Sequence, residues 1–202
     1  LPDDAESRPA ASMEKIHPMG VFEAFFPGVT EAFGYRLEVR YAAGTFTLRD
    51  PYAFPPGLGD LDLHLAAEGK HLTLYRRLGA HVRDVSGVRG TGFAVWAPAA
   101  QRVSVTGDWN SWDGRLDAMR RMGNGIWEIF IPDVVEGALY KYEVLTMQGD
   151  LVLKADPYGQ AMELRPRTAS KVATRRYAFT DEAWIAGRAK VKAVKKPMAI
   201  YE

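Results

Sequence analysis

From Gly92 to Lys154 the chain runs as short apolar segments cut at regular intervals by turn residues, and this pattern limits the fold most. The segments are Gly92 to Ala97, Arg102 to Thr106, Ile126 to Ile131, Tyr140 to Leu145 and Leu151 to Lys154. Between them stand Pro98, Gly107-Asp108, Asp113-Gly114, Gly123-Asn124-Gly125, Pro132-Asp133, Glu136-Gly137 and Gly149-Asp150. Runs this short cannot be long helices, and glycine, proline, asparagine and aspartate supply the backbone conformations that reverse a strand. The expectation is an all-β chain with an immunoglobulin-like β-sandwich from about residue 78 to 175.

A second strand-rich stretch precedes it. Tyr35, Leu37, Val39 and Tyr41 fall on one face of an alternating run and Arg36, Glu38 and Arg40 on the other; Ala43-Gly44 offers a turn into Thr45 to Leu48. With Val21 to Phe26, this makes about three strands over residues 15–77, too few for an independent core. The stretch reads as a partial second β-sandwich. After the Pro/Gly-rich Pro51 to Gly59, Asp60 is expected to cap a short helix with Leu61, Leu65 and Leu72 on its apolar side. A second helical turn from Leu72 to Leu78 should end at Gly79. Residues 1–14 read as a flexible lead-in and 176–202 as a linker ending in the apolar run Met198 to Tyr201. That run resembles the opening of a buried strand without a partner, so the chain is expected to be a piece of a longer protein.

Composition removes several functions. The 202 residues carry a net charge of +1, which draws the chain to neither nucleic acid nor an anionic membrane, and there is no cysteine for disulfides, thiolate metal sites or thiol nucleophiles. No apolar run approaches the ~20 residues of a membrane span. A cytoplasmic setting without cofactor or metal is expected. His17, His64, His71 and His81 lack metal-ligand spacing. The basic run Arg188 to Lys196 reads as a solvated linker, and Trp96, Trp127 and Trp184 as packing residues.

The chemically suggestive segment is Gly107-Asp108-Trp109-Asn110-Ser111-Trp112-Asp113-Gly114. Two tryptophans three residues apart in a polar turn can offer a flat apolar face to a sugar ring, whose C–H groups meet the π-cloud. Asn110 and Asp113 carry groups able to hydrogen-bond hydroxyls. Trp109 is expected to plug the sandwich end and Trp112 to be the platform.

Five ordered motifs carry a family resemblance: Phe93 to Ala100, Val103 to Trp112, Gly125 to Glu128, Tyr140 to Glu143, and Lys154 to Tyr158. Together they resemble the glycogen-binding-type carbohydrate-binding module, family 48, that precedes the catalytic barrel of branching and debranching enzymes. Arg49 to Pro56, Gly59 to Asp62, Leu78 to His81, Met162 to Pro166 and Pro197 to Glu202 are similar to the flanks of that module in bacterial 1,4-alpha-glucan branching enzymes. The resemblance implies that the parent enzyme forms α-1,6 branches in glycogen, and that its catalytic motifs lie beyond Glu202. No catalytic residue is therefore carried over, and this chain alone should be inactive. It also implies an α-glucan partner, with Trp112 the sugar platform and Lys141 beside the groove, and the catalytic barrel as a packing partner. The relatives' second aromatic platform, on the hairpin after Lys141, has no counterpart in Leu145 to Leu153. The alternatives are a stand-alone module that targets a partner to glycogen, and a spacer domain without a sugar site.

Overall fold

The computed structural model describes residues 11–31, 33–174, 177–188, 190 and 197–201. Among the described residues the regular structure is mostly β-strand, as the turn spacing requires, with two short helices.

The first four strands form two separate hairpins rather than one sheet. β1 (Glu14–His17) pairs antiparallel with β2 (Val21–Glu23), and β3 (Leu37–Tyr41) with β4 (Gly44–Leu48). The expected strand through Phe26 stops at Glu23. The second turn is Ala42-Ala43, with Gly44 already paired to Tyr41. Phe22, Tyr41 and Phe46 stay exposed, because a two-stranded ribbon has no second layer to cover them.

The sandwich is built from β5 (Gly79–Val85), β6 (Val88–Trp96), β7 (Ala100–Gly107), β8 (Arg120–Gly123), β9 (Ile126–Pro132), β10 (Leu139–Thr146), β11 (Leu151–Lys154), β12 (Ala161–Met162) and β13 (Ser170–Lys171). One sheet has the order β5-β6-β9-β8, all antiparallel. In the other, β10 pairs with β7 along one side; β11 and then β13 share its opposite side, and β12 adds to β13. Val105 and Met119 bond across β7's free side through Val105 N to Asp117 O and Met119 N to Val103 O, so the chain crosses between the sheets just before β8.

Alternation decides what enters the core. Phe93, Val95, Val103, Val105, Trp127, Ile129, Tyr140 and Tyr142 point between the sheets and are almost fully buried. Each buried side chain of this size contributes about 1.5–3 kcal/mol relative to exposure. Asp156 is the buried polar anchor: its Oδ2 accepts from the Tyr140 and Tyr142 hydroxyls at 2.6 and 3.2 Å, and its Oδ1 from Tyr158 N at 2.8 Å. Burial raises its carboxyl above the ordinary range, and burial beside this carboxyl also raises both tyrosines.

The opposite face of β5-β6-β9-β8 is covered as well, by residues before the sandwich. Phe54 lies on Phe130 with ring centroids 4.8 Å apart, and Leu58 joins Leu78, Ala94 and Ile126 in a second apolar cluster. Glu128 on β9 accepts from Gly57 N at 2.7 Å and Leu58 N at 3.1 Å, and pairs with Arg83 at 2.9 Å. These contacts join the connector to the sandwich.

Helix α1 (Asp60–Ala67) departs from expectation in two ways. Gly59 occupies the N-cap, and Asp62, not Asp60, closes the first turn by accepting from Gly59 N at 3.2 Å. Leu63 and Ala66, joined by Leu74, pack on the second cluster and Leu65 is half-buried, whereas Leu61 and Leu72 are exposed. The helix ends after two turns, so packing on Ala94 and Ile126 selects its face rather than a longer apolar stripe. The expected turn before Gly79 is a short 3-10 turn, Leu74–Arg76. Two histidines have structural partners: His71 Nε2 lies 2.8 Å from Asp62 and His81 Nε2 lies 2.9 Å from Leu78 O.

Toward the end, α2 (Glu182–Arg188) exposes Trp184. Residues 197–201 are unpaired, and Met198, Ile200 and Tyr201 are exposed. Trp127 is buried, whereas Trp96 is 60% exposed and donates through Nε1 to Asn124 O at 3.0 Å. Residues 1–10 of the lead-in, Glu202, and Lys192, Lys195 and Lys196 of the basic run lie outside the described residues.

Candidate functional site

The loop after β7 divides its polar and aromatic groups between an inward scaffold and an outward face. It opens with a 3-10 turn, Asp108–Asn110, and Asn110 folds back under it. Asn110 Oδ1 accepts from Gly107 N at 2.9 Å; its Nδ2 donates to Val105 O at 3.0 Å and Asp117 Oδ2 at 2.7 Å. Buried and engaged at both ends of its amide, Asn110 holds the turn together and is not placed to meet sugar hydroxyls as the sequence suggested.

Trp109 also turns inward. It stacks on Phe93 at 5.6 Å and donates through Nε1 to Asp117 Oδ2 at 2.9 Å. Gly107 makes room for it: a Cβ there would lie 2.1 Å from Trp109 Cζ3 and 2.5 Å from Leu139 O. Trp109 therefore plugs the sandwich end.

Trp112 points the other way. Ser111 and Trp112 both adopt left-handed backbone, with φ of 54° and 60°. A bulky side chain rarely accepts this, and the conformation costs about 1–2 kcal/mol per residue. Three hydrogen bonds offset it: Trp112 N to Gly107 O at 2.9 Å, Asp113 N to Asn110 O at 3.0 Å, and Trp112 Nε1 to Asp108 Oδ1 at 2.9 Å. The indole is thus pinned by its nitrogen while the residue stays 37% exposed. Beside it, Asp113 accepts a bidentate contact from Arg115 at 2.6 Å, and that guanidinium lowers its carboxyl to about 2.

Lys141 reaches the same side of the molecule through strand alternation. Tyr140 and Tyr142 enter the core, so Lys141 and Glu143 face outward on β10. Lys141 Nζ donates to Thr168 Oγ1 at 2.8 Å. Glu143 pairs with Arg102 at 2.8 Å, and a Cβ on Gly114 would touch its carboxylate, so the loop from Trp112 to Gly114 overhangs this face. Leu153 stands opposite Glu143 and Leu151 opposite Leu145, and both are exposed. The face therefore presents one tryptophan, a lysine, an anionic Asp113 and two leucines.

Sequence reasoning missed the two acids that set the indoles. Asp108 sits four residues before Trp112 and Asp117 eight after Trp109, and each looks like an ordinary turn residue until the loop closes. Among the described residues, no group of three or more His, Cys, Asp or Glu could hold a metal ion, and no helix is long and apolar enough to cross a membrane.

Residues 77–159 match the family Carbohydrate-binding module 48 (Isoamylase N-terminal domain). Beyond the module, the chain is 50% identical over 193 residues to the 1,4-alpha-glucan branching enzyme GlgB of Rhodospirillum rubrum, covering 94% of this chain and 26% of that protein. It is 52% identical over 190 residues to the enzyme of the same name from Myxococcus xanthus, covering 92% and 26%. The chain thus spans about a quarter of the length of the curated relatives it matches. Among solved structures, the pullulanase from Bacillus acidopullulyticus shares 28% identity over 48% of this chain and 12% of its own, with a TM-score of 0.39.

Proposed function

We propose that this chain is the non-catalytic N-terminal part of a 1,4-alpha-glucan branching enzyme, an enzyme that forms α-1,6 branches in glycogen, and that its sandwich binds or orients α-glucan beside the catalytic barrel. Trp112 is the platform, with Lys141 and Asp113 placed to hydrogen-bond sugar hydroxyls.

One observation carries the reading of the site. A tryptophan occupies a left-handed position that glycine or asparagine would fill without strain, and its ring nitrogen is tied down while the residue remains partly open to solvent. Strain kept at an exposed aromatic is what a preformed stacking surface requires. The similarity to branching enzymes across the segments before and after the module supports this parent over a stand-alone glycogen-targeting module. The reactive carboxylates of the parent lie in the part not spanned by this chain, so the chain alone binds and does not catalyse. A cytoplasmic setting goes with that parent.

Titrating intrinsic fluorescence with maltoheptaose tests the reading. A saturable change that disappears in Trp112→Ala is the expected result. No change up to millimolar sugar, or a change indifferent to Trp112→Ala, overturns it. The second outcome belongs to the spacer reading, which one observation favours: exposed Leu151 and Leu153 stand where the relatives place another aromatic.

A further inference from the structure

A recess of about 220 Å3 lies on the outer face of β5-β6-β9, remote in the fold from the Trp112 loop. Its floor exists because an outward position of β6, Gly92, carries no side chain. Into that space β5 sends His81 and Arg83. The Arg83 guanidinium lies 5.6 Å from the Phe130 ring centroid, and a Cβ on either Gly57 or Gly92 would collide with it. Arg76 and Arg77, from the turn before β5, complete the wall.

The charge balance of this wall is positive. It holds three guanidinium groups against one carboxylate, Glu128. Glu128 is itself consumed, its oxygens accepting from Arg83, Gly57 N and Leu58 N. Arg77 is partly offset by Asp62 at 3.3 Å, which also serves His71. Arg76 has no carboxylate partner among the described residues and contacts only the Tyr75 ring and hydroxyl. With Arg83 paired to Glu128 and Arg77 to Asp62, Arg76 is the surplus cation of a half-covered recess lined by three guanidinium groups, and such a wall suits an oxyanion because guanidinium forks match phosphoryl oxygens bidentately.

We propose that this recess binds a small phosphoryl anion, either inorganic phosphate or the phosphate of a sugar monophosphate. Its volume is below the ~300 Å3 at which pockets begin to enclose drug-sized ligands, so a nucleotide does not fit within it. The site is independent of the glucan face and stands or falls separately from it.

The test is a titration of the isotopically labelled 202-residue chain with inorganic phosphate at constant ionic strength, followed by amide chemical shifts. Saturable shifts centred on Gly57, Leu58, Arg77 and Gly92 are expected, with sulfate competing. Arg76→Ala, at an exposed turn where folding is not at stake, should weaken binding about tenfold, the loss of one charge-assisted contact. A hexose 6-phosphate binding more tightly than phosphate identifies the ester as the ligand; equal affinity identifies the free anion. Shifts that are non-saturating and scattered over the surface, or binding unchanged in both Arg76→Ala and Arg77→Gln, overturn the proposal.

Discussion

Replacing Glu128 by alanine removes a carboxylate that is 3% exposed and serves two structural elements at once. Its three contacts are Gly57 N at 2.7 Å, Leu58 N at 3.1 Å and Arg83 Nη2 at 2.9 Å. The substitution strands two amide donors and leaves Arg83, whose side chain is 29% exposed, without its counter-charge. Breaking a buried ion pair by removing one partner costs about 3–5 kcal/mol, and the partial exposure of Arg83 places the expected loss near the lower end, about 3 kcal/mol. Glu128→Gln keeps an acceptor for one amide and should lose about 2 kcal/mol. Urea unfolding followed by tryptophan fluorescence measures both. Hydrogen exchange supplies the local signature: Gly57 and Leu58 should exchange faster in Glu128→Ala, while Tyr142 and Val105 in the core keep their protection relative to global stability. A loss under about 1 kcal/mol, or unchanged exchange at Gly57 and Leu58, refutes the argument that this carboxylate fastens the connector to the sheet.

Other expectations are independent of that one. Gly107→Ala should destabilise the chain by about 1–3 kcal/mol and alter the near-ultraviolet dichroism of Trp109, because the new Cβ meets the indole and Leu139 O. Leu153→Trp, which puts an aromatic on the same face as Lys141, should tighten maltoheptaose binding by about tenfold; an unchanged titration would place the glucan elsewhere. Asp113 and Asp156 should show pKa displacements of opposite sign when followed by carbon chemical shift. Asp113, lowered from 3.8 to about 2 by Arg115, stabilises the fold above its unfolded pKa and loses that contribution as pH falls through about 2; Arg115→Ala should return it toward 3.8. Asp156, raised by burial, holds its proton more tightly in the folded chain, so its contribution declines as pH rises from the unfolded value through the folded one, and Asp156→Asn should remove that slope.

The strands that were legible in the sequence are those with an apolar face and marked turns. β7, β9, β10 and β11 contain the segments expected from the pattern, and β6 contains all of its segment but Ala97. β5 and β8 were not resolved as strands, and their residues explain why. His81-Val82-Arg83-Asp84 and Arg120-Arg121 are charged because these strands sit at the edges of the sheet and face the connector or solvent. The helix face was misjudged because Leu61 and Leu72 fit a periodicity that the chain abandons after Ala67. At the loop, the pair of indoles could be read directly, but not the roles of Asn110, Asp108 and Asp117. Those depend on a backbone that turns left-handed at Ser111 and Trp112, where no glycine advertises the turn.

The packing of Phe54, Leu58 and α1 over the outer sheet has a practical corollary for anyone trimming this protein. A gene cut to the family boundaries would begin after these residues and end before Val172, which is fully buried. Such a truncate would bare the oily flank formed by Ile126, Phe130 and Ala94 and lose a stave from the opposite wall. It should clump where a version starting at Arg49 and running past Val172 stays dispersed.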